Sequence, residues 1–167
     1  METDTALDIL KNALLLERRG RAFYGKVAEQ SARPAVREFF TLMAEEEDKH
    51  IQILSAQYRA YREKGSFEAA DRSQEPSPDL ASAVLNERVK SEITAADFEA
   101  AAIAAALSME RNAVRAYSER AEAADDPEEK ALYRWLAGWE TEHLEFLAKV
   151  DRELVEEVWN DNHFWPL

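Results

Sequence analysis

Large apolar residues recur every three or four positions over four long stretches of the chain, the spacing that gives a helix one buried face. The first stretch runs from about Thr5 to Ala32 and puts Leu7, Leu10, Leu14, Tyr24 and Ala28 on one face. Thr5, with Asp8 three residues later, resembles a capping box. The second runs from Pro34 to Lys64, buries Val36, Phe40, Met43, Ile51, Leu54 and Tyr58, and stops at Gly65. The third starts near Thr94, with Asp97 three residues on, and carries Ile103, Leu107, Val114 and Tyr117. The fourth opens on Asp126-Pro127, an N-cap followed by proline at the first helical position. It continues through Leu136, Leu147, Val150 and Leu154 to about Val158.

The connections set the topology. Only a few residues join the first helix to the second and the third to the fourth, which forces antiparallel hairpins. Residues 65–93 lie between the hairpins, punctuated by Gly65, Pro76 and Pro78, with a short helix expected over 79–90. Extended, such a segment reaches about 95 Å, against about 45 Å for a 30-residue helix, so it can return along a bundle. The pattern predicts one all-α domain, a four-helix bundle of two hairpins (5–64 and 94–158) joined by a long crossover (65–93), with an aromatic tail at 159–167.

The hairpins repeat one another. Shifted by 93 positions, residues 13–54 fall on 106–147 without a gap. Glu17 falls on Glu110, Tyr24 on Tyr117, Pro34 on Pro127, Glu47 on Glu140 and His50 on His143. Each half thus carries a Glu-x-x-His, whose members are neighbours on a helix, about 5–6 Å apart at Cβ. Another glutamate precedes each pair by thirty residues. Glu17 and Glu47 are each about 15 residues from the first turn, some 22 Å along a helix, so they sit at one height near mid-bundle. Glu110 and Glu140 do the same around the second turn. Register turns them inward: positions 10, 14, 17, 24 and 28 share a stripe, as do 136, 140, 143, 147, 150 and 154. Glu45, Glu46 and Glu142 read as the solvated face.

Four buried carboxylates without countercharge each cost several kcal/mol, or else take up protons. Two divalent cations cancel the four charges, and carboxylate with imidazole suits iron or manganese. A lone Glu-x-x-His in a Glu-rich helical protein is ordinarily a surface accident. Here two of only three histidines stand at equivalent repeat positions, each with the same acids at the same offsets. A bundle that kept these residues without the metal is the competing account.

Composition narrows the field further. With no cysteine there is no disulfide, thiolate metal site or thiol catalysis, and cytoplasm is the simplest compartment. Thirty-four acidic against 21 basic residues give a formal net charge of −13, which disfavours nucleic acid and anionic lipid as partners. No stretch is apolar for the length a bilayer requires, and the start lacks the basic and apolar regions of a signal peptide.

Six donors from four helices resemble the ferritin-like di-iron carboxylate superfamily. "ERRGRAFY" at 17–24, with Arg21 four and Tyr24 seven residues after Glu17, resembles the first-helix motif of the rubrerythrin family; the likeness covers about residues 5–155. It implies a ferritin-like fold and two iron ions, with manganese or a mixed pair as variants. Glu47 and Glu140 would bridge, and Glu17, His50, Glu110 and His143 would be terminal. It also implies reduction of peroxide or dioxygen. A rubredoxin domain would need four cysteines, so the electron donor is expected to be external. The family tends to carry a further glutamate one turn before the third-helix ligand, where this chain has Leu107. Alternatives are a ferroxidase coupled to iron storage and a non-enzymatic bundle with a structural metal.

Tyr24 and Tyr117 lie two turns along the stripe from Glu17 and Glu110, either filling the core or holding a ligand carboxylate. Arg21 falls on Val114 in the repeat and either pairs with a carboxylate beside the site or lays its stem at the stripe's edge. His163 reads as a tail residue. Trp159, Phe164 and Trp165 would cover an apolar surface or a partner in a homodimer or larger homo-oligomer.

Overall fold

The computed structural model describes residues 5–70, 89, 92 and 98–160, the side chains of 157 and 158 excepted. It contains four long helices, α1 (Ala6–Gln30), α2 (Pro34–Lys64), α3 (Phe98–Ala123) and α4 (Pro127–Asn160), and no strand among the described residues. The all-α four-helix reading holds. Thr94, Asp97, the proposed helix over 79–90 in all but Val89, and the tail residues 161–167, His163 included, lie outside the described residues.

The helix ends follow the local chemistry. Thr5 accepts from the Asp8 backbone N–H and its hydroxyl donates to the Asp8 carboxylate at 2.7 Å. Pro34 opens α2, and Gly65 closes it at φ 74°, a left-handed cap that a side chain would strain. The Asp126 carboxylate accepts from Glu128 and Glu129 N–H at 2.8 and 3.2 Å, ahead of Pro127.

α1 packs along α2 and α3 along α4. Two apolar clusters fill the bundle. One joins Tyr24 and Val27 of α1 to Val36, Phe39 and Phe40 of α2, Ile103 and Leu107 of α3, and Leu147 and Val150 of α4. The other joins Leu10, Leu54, Tyr117, Leu132, Tyr133 and Leu136. The end of α2 therefore lies with the end of α3 and the start of α4, at the opposite end of the bundle from the start of α3.

The buried stripes differ in detail from the expected ones. Leu7, Leu14, Ile51, Tyr58 and Val114 are only partly buried, whereas Ala13, Phe39, Gln57 and Ala113 are fully inside. Straight helices drift against a fixed three-four pattern, so a stripe's edge moves by one position over several turns. No described helix is long and apolar enough to cross a membrane.

Candidate metal centre

A polar layer separates the two apolar clusters. It consists of Glu17 from α1, Glu47 and His50 from α2, Glu110 from α3, and Glu140 and His143 from α4, none more than 3% exposed. One donor atom from each of Glu17, Glu47, His50 and Glu140 lies within 4.8 Å of the others, and the same is true of Glu47, Glu110, Glu140 and His143. Glu47 and Glu140 belong to both groups.

The oxygens of the shared pair divide between the histidines. Glu140 presents Oε1 to His50 Nδ1 at 2.9 Å and Oε2 to His143 Nδ1 at 3.2 Å. Glu47 presents Oε2 to His50 Nδ1 at 3.6 Å and Oε1 to His143 Nδ1 at 4.0 Å. Glu17 adds an oxygen 3.1 Å from His50 Nδ1. The imidazoles stack at 5.6 Å with both Nδ1 atoms turned toward the carboxylates. This donor set, all oxygen and imidazole nitrogen around two adjacent points, fits a pair of divalent ions.

Protons hold the charge balance when no ion is bound. Burial, then the Glu140 and Glu17 charges, keeps Glu47 protonated well above the usual carboxylate range; burial and Glu140 do the same to Glu110. Glu140 goes the other way. Burial opposes its ionisation, but the imidazoles on either side hold it well below the ordinary value. Burial would lower both histidines, yet the carboxylates win: His143 rises to about 9, and His50 is pushed well up by Glu140 and Glu17.

Tyr24 and Tyr117 hold carboxylates, and each crosses to the other hairpin. Tyr24 donates its hydroxyl to Glu110 Oε1, and Tyr117 donates to Glu17 Oε1. Burial and those same carboxylates push both phenols well above their usual range, so the protons stay on the tyrosines. Tyr24→Phe should therefore weaken ion binding at the Glu110–His143 position and spare that of Glu17, on Tyr24's own helix. A hydrogen bond to a charged group contributes about 1.5–3 kcal/mol, so the loss should be roughly tenfold or more in metal titration. Weakening at Glu17 instead would show the crossed pairing to be wrong.

Glu46 is not on the solvated face. It is 1% exposed, three residues after buried Met43 and so on the same inner edge of α2; Glu45 and Glu142 are exposed as expected. Trp139 Nε1 donates to Glu46 Oε2 at 2.9 Å, and Lys49 reaches Oε1 at 2.5 Å. Burial resists its ionisation, but His143 and Lys49 bring its pKa down to about 2. A sequence signal for it existed: Glu46 and Trp139 are repeat counterparts. Arg21, by contrast, pairs at the surface with Asp48 at 3.1 Å, beside Glu47 in sequence but outside the polar layer.

A rubrerythrin family model matches residues 8–151, most of the chain. The chain belongs to the rubrerythrin family. Neither the comparison with curated proteins nor that with solved structures gives a match. Rubrerythrin is a ferritin-like family, in keeping with the four helices and the candidate di-metal centre. This rubrerythrin-family chain has Leu107, 5% exposed and packed in the first apolar cluster, one turn before Glu110.

A cavity of about 370 Å³ opens between α1 and α3 and reaches the layer, lined by Leu16, Gly20, Met109, Glu47, Glu110 and Glu140. Gly20 leaves room for Glu47 here: a Cβ on it would stand 3.2 Å from Glu47 Cδ and 3.3 Å from its Oε1. Gly20→Ala should displace that carboxylate. We expect weaker binding of both ions and a loss of about 1–3 kcal/mol in the metal-loaded protein, read by titration and thermal unfolding. Unchanged binding would mean Glu47 has slack the geometry does not indicate.

Proposed function

We propose that this protein is a non-haem di-iron oxidoreductase that reduces peroxide or dioxygen. The observation that carries the reading is the division of Glu47 and Glu140, each offering one oxygen to either half of the donor set. In this reading the two are bridging ligands, while Glu17 with His50 and Glu110 with His143 complete the separate positions. Held there, a pair of ferrous ions would supply the two electrons that, with two protons, reduce peroxide to two waters or dioxygen to peroxide.

The chain's own residues have definite tasks in that scheme. Tyr117 and Tyr24 each occupy one oxygen of a terminal glutamate, which fixes the carboxylate's rotation and leaves its other oxygen for the ion. The apolar clusters above and below shield the layer from solvent except along the cavity, and strengthen the charge interactions within it. The cavity between α1 and α3 offers a small oxidant a way to the carboxylates. No cysteine is available for an iron–sulfur electron relay within these residues, so in this reading the electrons come from outside them.

Loading with ferrous iron under anaerobic conditions, followed by mixing with peroxide or with oxygen, tests the proposal through the near-UV ferric bands. We expect two irons per chain, oxidation faster with peroxide than with oxygen, and recovery on adding a reductant. Oxygen-driven uptake of many irons per chain would instead identify a ferroxidase coupled to storage. Absence of oxidation, with a large loss of thermal stability on metal removal, would identify a structural metal.

A further inference from the structure

The tyrosine contacts of the donors are matched across the repeat, but the groups behind the two histidines are not. Each terminal glutamate receives a tyrosine hydroxyl from the opposite hairpin. Behind His143, Nε2 faces Glu46 Oε2 at 3.9 Å, both side chains being at most 1% exposed. That separation exceeds a hydrogen bond, but in a dry interior it is a strong charge contact. Glu46 cannot swing away freely, because Trp139 Nε1 and Lys49 Nζ hold its two oxygens. Among the described residues, the carboxylates paired with His50 all face its Nδ1 and none stands behind the ring. Neither histidine's Nε2 has a hydrogen-bond partner among the described residues, but where His143 Nε2 faces a carboxylate, the His50 ring meets that of Trp139 at 4.8 Å, nearly perpendicular, with Trp135 at 6.4 Å.

Position 46 and position 139 are equivalent in the repeat, yet one carries a carboxylate and the other an indole. We propose that this exchange makes the two ion positions unequal: the Glu110–His143 position binds its ion first and more tightly, and Glu46 is the positioning residue responsible. The inference rests on the di-metal reading above. A carboxylate hydrogen-bonded behind a ligating imidazole raises its basicity and changes metal affinity by about 10–100-fold; the buried charge contact of Glu46 acts on His143 in the same sense. An indole face supplies none of that to His50. The opposing charge of Lys49 lies on the far oxygen of Glu46 and is 34% exposed, so solvent weakens it, whereas Glu46 is shielded from screening.

Titration of the metal-free full chain with zinc, a redox-silent ion, against a competing chelator tests this without any turnover. The wild type should take two ions per chain in steps separated by about tenfold or more. Glu46→Gln keeps the shape and the Trp139 contact but loses the charge, and should bring the tight step down to the weak one. Glu46→Asp keeps the charge and should preserve a separation. His50→Ala should retain the tight step alone, and His143→Ala the weak step alone. Equal steps in the wild type, an unchanged separation in Glu46→Gln, equal losses in the Gln and Asp variants, or loss of the tight step in His50→Ala would each overturn the proposal. Binding of fewer than two ions by the wild type would overturn the di-metal reading itself, a distinguishable failure.

Discussion

Glu140→Ala should leave the protein unable to hold either ion, whereas Glu17→Ala should lose one. The difference follows from sharing. Glu140 sends one oxygen toward His50 and the other toward His143, while Glu17 touches only the His50 side. Metal content by elemental analysis should fall from two ions per chain to well under one in Glu140→Ala, and to about one in Glu17→Ala, because each separate position keeps its own glutamate and histidine. The metal-free variant should also suffer. Glu140 is the ionised carboxylate on which both raised imidazoles depend, and the three side chains are at most 1% exposed. Removing one partner of a buried charged set costs about 3–5 kcal/mol, so a large drop in unfolding temperature should accompany the lost metal. If Glu140→Ala still bound a full complement, the bridging role would be untenable.

The second large effect is a reversal of pH dependence by metal. In the metal-free protein, His143 titrates near 9 in the fold against 6.5 in the unfolded chain. Its stabilising contribution is complete below about pH 6.5 and vanishes as the pH rises through about 9, on the order of 3 kcal/mol in all. His50 is raised too and acts in the same direction. Glu47 and Glu110 add to the trend from the other side: their raised values keep protons on in the fold, while the unfolded chain releases them above about 4.5. Folding is therefore penalised increasingly as pH climbs. Glu140, depressed, gives up its contribution only when the pH falls below the ordinary carboxylate range, outside this window. The metal-free protein should thus be more stable at pH 6 than at pH 9. Metal competes with these same protons, so loading should release protons, measurable in a pH-stat, and the stabilisation by metal should grow with pH. A metal-free melting temperature that rises from pH 6 to 9, or metal uptake without proton release, would contradict this account.

Much of the centre is legible in the chain because the two hairpins duplicate one another. Periodicity puts Glu17, Glu140 and His143 among apolar stripes, the repeat adds Glu110, Glu47 and His50, and equal distances from the two turns put the glutamates at one height. The turn chemistry at Thr5, Gly65 and Asp126 is local, so the helix ends there follow from a few residues. The misreading of Glu46 has a different origin from that of the stripe edges. Glu46 looks like a solvated acid among three consecutive glutamates, because a helical pattern weighs residue type and cannot register that Trp139 and Lys49 of the folded protein would satisfy its oxygens.

The sequence by itself determined four amphipathic helices, their pairing into hairpins, the level of the donors and the family to which the chain belongs. Only the tertiary structure decided which side chains meet across the hairpins: Tyr24 with Glu110, Tyr117 with Glu17, and Glu46 between Trp139 and His143. The physical reason is that periodicity reports the face a residue occupies on its own helix. Which face of another helix it then touches is set by the packing of all four together.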